Sequence, residues 1–84
     1  MYKVYWSKRS RKDLAKLEKN LIKRIIEKVE GIKSVPYHFL ERLTDRPGWR
    51  LRVGDYRVFI DINEKEKTLE IIHIEHRKKA YKNK

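Results

Sequence analysis

The sequence predicts an α+β fold in two layers, with helices packed on one face of a mainly antiparallel sheet. Two amphipathic helical segments follow a first short strand, and the other strand-like segments all come later in the chain. Strands that are grouped apart from helices are typical of this class. A chain of 84 residues holds one small core. We therefore expect a single domain over residues 1–84, with the element order β-α-α-β-β-β.

The first half of the chain predicts one strand and two helices. Residues 2–6 (YKVYW) are aromatic and β-branched, as strands prefer. Ser7 is a good N-cap for a first helix that begins near Lys8. Asn20 is interpreted as a break or a second cap, and the following LIKRIIEKVEGI has the apolar spacing of an amphipathic helix. The short break between the helices predicts an αα-hairpin.

The second half predicts a connection followed by strands. In the connection, SVPYHFLERL, we expect Val35, Phe39 and Leu40 to pack onto the core, and TDRPG is typical of a turn. Gly54 and Asp55 lie where a tight hairpin turn is expected, and NEKEK forms a second turn. Three strands surround these turns: residues 49–53, 56–62 and 68–74.

Charge is the strongest signal in the composition. The chain has 23 Lys and Arg against 12 Asp and Glu, a net charge of +11, and residues 76–84 form a basic tail. Such a field attracts polyanions. Solubility or life at high temperature also enriches charged residues, but usually raises both signs together. The imbalance therefore predicts nucleic acid or an acidic protein as the partner.

Several classes of protein are disfavoured. Without cysteine there is no disulfide framework, and the usual structural zinc sites are largely excluded. No apolar run approaches the roughly 18 residues of a membrane span, and the start MYKVYWSKR lacks the apolar core of a signal peptide. We expect a soluble, cytoplasmic protein that needs no membrane, metal ion or small-molecule cofactor.

Arginine side chains are expected to collect on one face of the sheet. Because side chains alternate along a strand, Arg50 and Arg52 point away from the core if their apolar neighbours face it, and Arg57 begins a similar alternation. An ordinary solvated face explains polar residues there. A merely solvated face would mix signs, however, whereas these residues and Arg77 all carry the planar fork that binds phosphate bidentately. Aromatic residues that suit stacked RNA bases lie near them: Trp49, Tyr56 and Tyr81.

The histidines and carboxylates indicate less. His73 and His76 are expected on opposite faces of a strand, so a shared metal ion is not expected. His76 adjoins Arg77 and is a candidate general acid or base, with an incidental surface histidine as the alternative. Asp61 and Glu75 are interpreted as salt-bridge partners of the arginines rather than a catalytic pair. Neither a Gly-rich phosphate loop nor a serine-centred nucleophile motif is present.

The element order and two motifs, WRLRVGDYRVFID and IIHIEHRKKAYK, resemble the RelE/ParE toxin superfamily of toxin–antitoxin systems. The resemblance covers essentially the whole chain and is closest to the archaeal RelE branch. LRVGDYRV occurs in both RelE and ParE, whereas the ending HRKKAY favours RelE. The resemblance implies a RelE-like, microbial-ribonuclease-type fold. It also implies a metal-independent endoribonuclease that cuts mRNA in the ribosomal A site and is neutralised by an acidic RelB-type antitoxin.

The resemblance also implies roles for individual residues. Arg52 belongs to the basic pair on the family's second strand, Arg57 matches the arginine after the glycine–aromatic turn, and Arg77 matches the arginine that ends the last strand. Tyr81 resembles the C-terminal tyrosine that stacks on the substrate base or assists proton transfer. These four residues are expected to be catalytic. Further residues are expected to bind RNA: Arg50, His76, Lys78 and Lys79.

Two departures from the family bear on the mechanism. Well-studied bacterial members have lysine at the positions of Arg50 and Arg52, and lysine can lose a proton whereas arginine effectively cannot. The tyrosine also lies closer to Arg77 here. Tyr81, His76 and the ribosome itself are therefore all candidates for the general base of the expected reaction, a transesterification in which the ribose 2′-OH attacks the adjacent phosphate.

Two other functions fit the same sequence. A ParE-type toxin shares the scaffold but inhibits DNA gyrase by binding, and a non-catalytic RNA-binding module would use the same basic face. A short acidic reading frame next to the gene would indicate a toxin–antitoxin system.

Overall fold

The computed structural model describes residues 1–78, and residues 79–84 lie outside the described part. The elements, in chain order, are β1 (Lys3–Trp6), α1 (Lys8–Ala15), α2 (Lys19–Gly31), α3 (Pro36–Phe39), β2 (Glu41–Arg42), β3 (Trp49–Val53), β4 (Tyr56–Asn63) and β5 (Thr68–His76). The strands form one sheet in the order β1-β5-β4-β3-β2. Only β1 and β5 are parallel among the paired strands of residues 1–78. The predicted α+β class and order are confirmed, and α3 and β2 are added within the connection.

The helices begin close to where the sequence predicts them. Ser7 caps α1, since its hydroxyl accepts a hydrogen bond from the Ser10 amide at 3.0 Å. The break between α1 and α2 lies at residues 16–18, so Asn20 belongs to the first turn of α2 and is not the break itself. No helix formed by the described residues is long and apolar enough to cross a membrane.

The core lies between α2 and one face of the sheet. Ile25 and Val29 of α2 and its C-cap residue Ile32 are fully buried, at the spacing of one helix face. They belong to one apolar cluster with residues from all three long strands: Leu51, Val53, Val58, Ile60, Leu69, Ile71 and Ile74. Each such side chain contributes about 1.5–3 kcal/mol when it leaves water. Among the elements formed by residues 1–78, no helix of the length of α2 covers the other face of the sheet, and this is the face to which Arg50, Arg52 and Arg57 point.

Helix α1 covers the part of β5 that β1 leaves unpaired. The pairing of β1 with β5 ends at Ile71. Beyond it, the Ser7 hydroxyl donates to the carbonyl of Ile72 at 2.8 Å, and Asp13 Oδ2 accepts from the amide of Ile74 at 2.9 Å. These contacts satisfy backbone groups at a strand edge that would otherwise be open to other chains.

A β-bulge in β5 changes which side chains reach the open face. Phe59 pairs with His73 and Ile60 pairs with Ile71, so Ile72 is the extra residue. Before the bulge, odd-numbered residues such as Ile71 face the core. After it, the odd-numbered His73 and Glu75 face outward instead, which regular alternation would not give.

The connection and the last strand differ from their predicted form. Leu40 is buried as expected, but Val35 and Phe39 are exposed by 55% and 45%. In the short helix, Pro36 and Leu40 are four residues apart and share the buried face, so their neighbours point outward. Strand β5 continues to His76, two residues past its predicted end, so the basic tail expected over residues 76–84 begins inside the sheet.

Glu64, in the turn between β4 and β5, contacts two distant parts of the chain: Tyr2 before β1 and Tyr37 in α3. Its carboxylate accepts hydrogen bonds from the hydroxyls of Tyr2 and Tyr37 and from the ammonium of Lys67. The bonds from Lys67 and Tyr2 lower the pKa of the Glu64 carboxyl. The bond to Glu64 raises the pKa of Lys67.

Glu64 is expected to make stability depend on pH in the acid range. Because its pKa is lower in the folded protein, its contribution is present above the unfolded value, about 4.3, and is lost as pH falls through the folded value. We expect the melting temperature of Glu64→Gln to fall less steeply on acidification than that of the wild type. Glu66→Gln, in the same exposed turn, is the control. Equal slopes for Glu64→Gln and the wild type would contradict this role.

Candidate active site

The open face of the sheet carries two rows of facing side chains. In the first row, Arg52 pairs with Arg57 across β3 and β4, and Arg57 pairs with Glu75 across β4 and β5. The second row crosses the sheet from β2 to β5, and each member pairs with the next: Glu41, Arg50, Phe59 and His73. The predicted outward direction of Arg50, Arg52 and Arg57 is therefore confirmed.

Three arginines line one small concavity beside the hairpin turn. Arg52, Arg57 and Arg77, together with Asp55 and Tyr56, surround a space of about 70 Å³. The amide of Arg77 donates to the carbonyl of Asp55 at 2.7 Å, which fixes the end of β5 against the turn. We call this concavity the arginine site.

The hairpin turn itself follows the sequence prediction. Gly54 has a φ of +59°, in the left-handed region that glycine adopts without strain. A Cβ atom at this position would also lie 3.2 Å from the guanidinium of Arg24. The glycine therefore allows both the tight turn and the close approach of α2 to the arginine site.

Positive charge exceeds negative charge around the arginine site. Arg52 and Arg57 face each other directly, an arrangement that destabilises a sheet when nothing binds between the charges. Arg50 Nε and Arg52 Nε lie 3.3 and 3.4 Å from the same oxygen of Glu41, so one carboxylate serves two guanidinium groups. This surplus suits an anionic ligand.

The arginines differ in how firmly they are held. The side chain of Arg77 is 58% exposed and its Nη1 lies 4.0 Å from Asp55, and Arg52 is similarly exposed. Arg57 is only 6% exposed. A buried guanidinium keeps one orientation, whereas the two exposed ones can adjust to a ligand.

A histidine that the sequence did not indicate connects this face to α1. His73 Nε2 lies 2.7 Å from Glu75 Oε2, and His73 Nδ1 lies 3.4 Å from Asp13 Oδ2. The ring stacks on Phe59, with centroids 5.1 Å apart. The adjacent Ile71 and Ile72 mark the bulge in the apolar pattern of β5, because the buried apolar positions change there from odd to even numbers. Asp13 and His73, however, are 60 residues apart, and nothing in the sequence relates them.

The remaining predicted site residues fall in different places. Lys78 is exposed at the end of the described chain. His76 lies on the opposite face of β5 from Glu75, where its ring packs edge-to-face against Tyr56 with centroids 5.0 Å apart. The predicted separation of His73 and His76 is confirmed. Lys79 and Tyr81 lie outside the described residues.

Two further features bound the chemistry of this surface. A second concavity, of about 630 Å³, lies near the far end of β4. Because four carboxylates line it, it does not suit an anionic ligand. These carboxylates belong to Asp61, Glu64, Glu66 and Glu70. Within residues 1–78, no group of three or more acidic or histidine side chains is arranged to hold a metal ion.

Comparisons with known proteins agree with this fold. The family described as ParE toxin of type II toxin–antitoxin system, parDE, matches residues 4–81. No curated protein sequence matches the chain.

Solved structures of both branches are similar to the chain. The RelBE2 toxin–antitoxin complex from Mycobacterium tuberculosis has a chain with a TM-score of 0.83 and 25% identity, covering 90% of this chain and 98% of that one. A chain of the archaeal RelE–RelB complex from Pyrococcus horikoshii has a TM-score of 0.75 and 29% sequence identity, and the match covers 90% of this chain and 94% of that one. A chain of the chromosomal ParDE system of Pseudomonas aeruginosa has a TM-score of 0.72 and 16% sequence identity, and the match covers 90% of this chain and 96% of that one. At this identity the match shows a shared fold alone. The chain therefore belongs to the ParE toxin family of type II toxin–antitoxin systems, within the RelE/ParE superfamily.

Proposed function

We propose that this toxin is a RelE-type endoribonuclease that cuts mRNA in the ribosomal A site. The observation that carries the proposal is the convergence of Arg52, Arg57 and Arg77 on one concavity of the open sheet face. Guanidinium groups grip phosphate bidentately, and a net charge of +11 favours approach to RNA. The solved RelE-type structures are 15–29% identical in sequence to this chain and the solved ParDE structure is 16% identical, so the proposal rests on the arginine site and not on sequence identity.

The proposed reaction is a transesterification. The ribose 2′-OH attacks the adjacent phosphate, the bond to the 5′-oxygen breaks, and a 2′,3′-cyclic phosphate and a 5′-OH remain. Negative charge grows on the phosphate in the transition state, so cations fixed around it stabilise that state more than the ground state. Arg57 and Arg77 would clamp the phosphate and Arg52 would balance its charge.

Other residues would hold the RNA rather than react with it. Arg50 lies on the same face beside the arginine site and would orient the RNA backbone. Lys78 is exposed and would add positive charge for the RNA, and we propose the same role for Lys79, the next residue in the sequence. Tyr81 would stack on a base or assist proton transfer. The ribosome would align the 2′-OH with the phosphate, since alignment alone accounts for a large part of such rates.

Primer extension tests this proposal in cells. After induction of the toxin, we expect breaks in translated mRNAs that map to codons, and no breaks in the same transcripts when their start codons are removed. Breaks that do not depend on translation would contradict the A-site proposal, and intact transcripts in growth-arrested cells would contradict RNA cleavage.

A gyrase inhibitor is the second candidate, because the matching family is described as ParE toxin. A ParE-type toxin would act by binding and would produce gyrase-dependent DNA breaks with intact mRNA. A DNA cleavage assay with purified gyrase separates the two functions. In this assay the wild-type toxin is expected to leave gyrase activity unchanged, and gyrase-dependent DNA breaks would favour the ParE-type function.

We propose an acidic RelB-type antitoxin as the protein partner. Several solved relatives are toxin–antitoxin complexes with RelB. The excess of basic side chains on this chain would attract an acidic chain that folds on binding. Co-expression of the toxin with the product of an adjacent acidic reading frame should restore growth. If that product neither binds the toxin nor restores growth, it is not the partner.

A further inference from the structure

Two carboxylates stand in the rows of side chains on the open face, Glu41 and Glu75. Glu75 is the one that pairs across the strands with Arg57, on the outer side of β5. Its side chain is 17% exposed. It lines a groove of about 370 Å³ whose charged and titratable lining also includes Arg9, Arg46, Asp61 and His73. Glu75 therefore stands opposite one arginine of the proposed phosphate clamp and is open to a ligand through this groove.

The position of this carboxylate is fixed by a chain of contacts. Glu75 Oε2 lies 2.7 Å from His73 Nε2, and His73 is held in turn by Asp13 at 3.4 Å and by stacking on Phe59. Asp13 is itself anchored by the backbone amide of Ile74. A reacting group held by such supporting contacts needs little reorganisation when the substrate binds.

The proposed reaction needs a group of this kind. The 2′-OH must lose a proton, and the guanidinium groups of the arginine site have no capacity to accept one. An ionised carboxylate is an acceptor only, and carboxylates commonly serve as general bases. Glu75 stands directly opposite Arg57 across the strands, which puts a carboxylate acceptor beside one arginine of the proposed phosphate clamp.

We propose that Glu75 is the general base of the RNA cleavage and that His73 is its positioning residue. This inference rests on the function proposed above. Glu75 takes the proton of the 2′-OH as the bond between the 2′-oxygen and phosphorus forms. The bond from phosphorus to the 5′-oxygen breaks, and that oxygen takes a proton from water. The hydroxide left behind removes the proton from Glu75, which returns the site to its starting state.

Asp55 is the competing acceptor, because its carboxylate lines the arginine site itself, whereas Glu75 reaches that site through its pairing with Arg57. It lies in the hairpin turn, and its side chain is 67% exposed. Glu75 stands on a central strand and has a neighbour that holds it. Charged and titratable groups surround Glu75 on several elements. Arg57 of β4 pairs with it across the strands, His73 of β5 contacts it, and Asp13 of α1 lies on the far side of His73. The groove that Glu75 lines is also lined by Arg9, Arg46 and Asp61.

The test compares single-turnover cleavage with binding on programmed ribosomes. Binding is measured with an mRNA that carries a 2′-deoxy nucleotide at the cleavage site and therefore is not cut. Glu75→Gln should lower the cleavage rate by about 10²-fold or more. It should leave binding unchanged or tighter, because a negative charge is removed. Glu27→Gln, which changes an exposed carboxylate on α2 away from this face, should change neither quantity by more than about twofold.

The pH profile separates a base from a structural ion pair. The wild-type rate should rise with pH in the acid range with a slope of one, and Glu75→Gln should lose that slope. His73→Gln should cleave more slowly but keep the slope, because the carboxylate remains. Should Glu75→Gln fail to fold, Glu75→Asp decides the question, since a shortened base keeps the slope at a reduced rate.

Four results would overturn the inference. They are wild-type rates for Glu75→Gln, equal losses of cleavage and binding, loss of the slope in Asp55→Asn rather than Glu75→Gln, and loss of the slope in Glu75→Asp. A wild-type protein that cleaves no mRNA would reject the proposed function itself, and this inference with it.

Discussion

Arg77→Ala is expected to lower mRNA cleavage by about 10²-fold or more, the scale for losing one donor to a transition state. The side chain is 58% exposed and contacts only the turn residue Asp55 among the described ion pairs, so its removal should leave the melting temperature nearly unchanged. Arg57→Ala should reduce cleavage at least as much. Because Arg57 is buried, that variant should also be less stable.

The measurement is single-turnover cleavage beside thermal unfolding of the same preparations. Arg11→Ala, an exposed arginine on α1, is the matched control and should keep both the rate and the stability. If both Arg57→Ala and Arg77→Ala cut mRNA at the wild-type rate, the arginine site is not the site of cleavage.

Leu51→Ala should have the reverse effect. Leu51 is 2% exposed and belongs to the apolar cluster beneath the open face. Removing its side chain leaves a cavity that costs about 2–5 kcal/mol, which lowers the melting temperature of a domain of this size by about 10 °C or more. Molecules that remain folded should cleave mRNA normally, because Arg50 and Arg52 are untouched.

Val35→Ala is the control for this prediction. The sequence also predicted Val35 to be in the core, but it is 55% exposed, so its truncation should change the melting temperature little. Comparable losses of stability in Leu51→Ala and Val35→Ala would contradict the described packing.

Local signals predicted most of this fold. The hydroxyl of Ser7 caps a helix without help from distant residues, and Gly54 relieves a local backbone constraint, so both are readable from the sequence. Alternation along β3 likewise assigned Leu51 and Arg52 to opposite faces. These features depend on neighbours within a few positions.

Features that depend on distant contacts were not predictable. The one-turn helix α3 reversed the expected direction of Val35 and Phe39, because its buried face was set by the sheet beneath it. The bulge at Ile72 turned His73 and Glu75 outward, although TLEIIHI was interpreted as a regular strand. Glu75 was therefore interpreted only as a salt-bridge partner, and the contact of His73 with Asp13 was missed.

The candidate site was predicted in part. Arg52, Arg57 and Arg77 were expected to lie together, and they line one concavity. The sheet register brings Arg50 beside them but turns His76 to the other face. The roles of Tyr81 and Lys79 remain predictions, since both lie outside residues 1–78.

The central claim is that the arginines of the open face make this toxin an RNA-cleaving enzyme. The most direct test incubates purified toxin with programmed ribosomes, with and without an amount of EDTA that binds trace transition metals but leaves enough free Mg²⁺ to keep the ribosomes intact. We expect breaks at the A-site codon whose ends are a 2′,3′-cyclic phosphate and a 5′-OH, at a rate that depends on Arg57 and Arg77 and is the same with and without EDTA. Intact mRNA in that reaction, alongside gyrase-dependent DNA breaks in a parallel one, would contradict it.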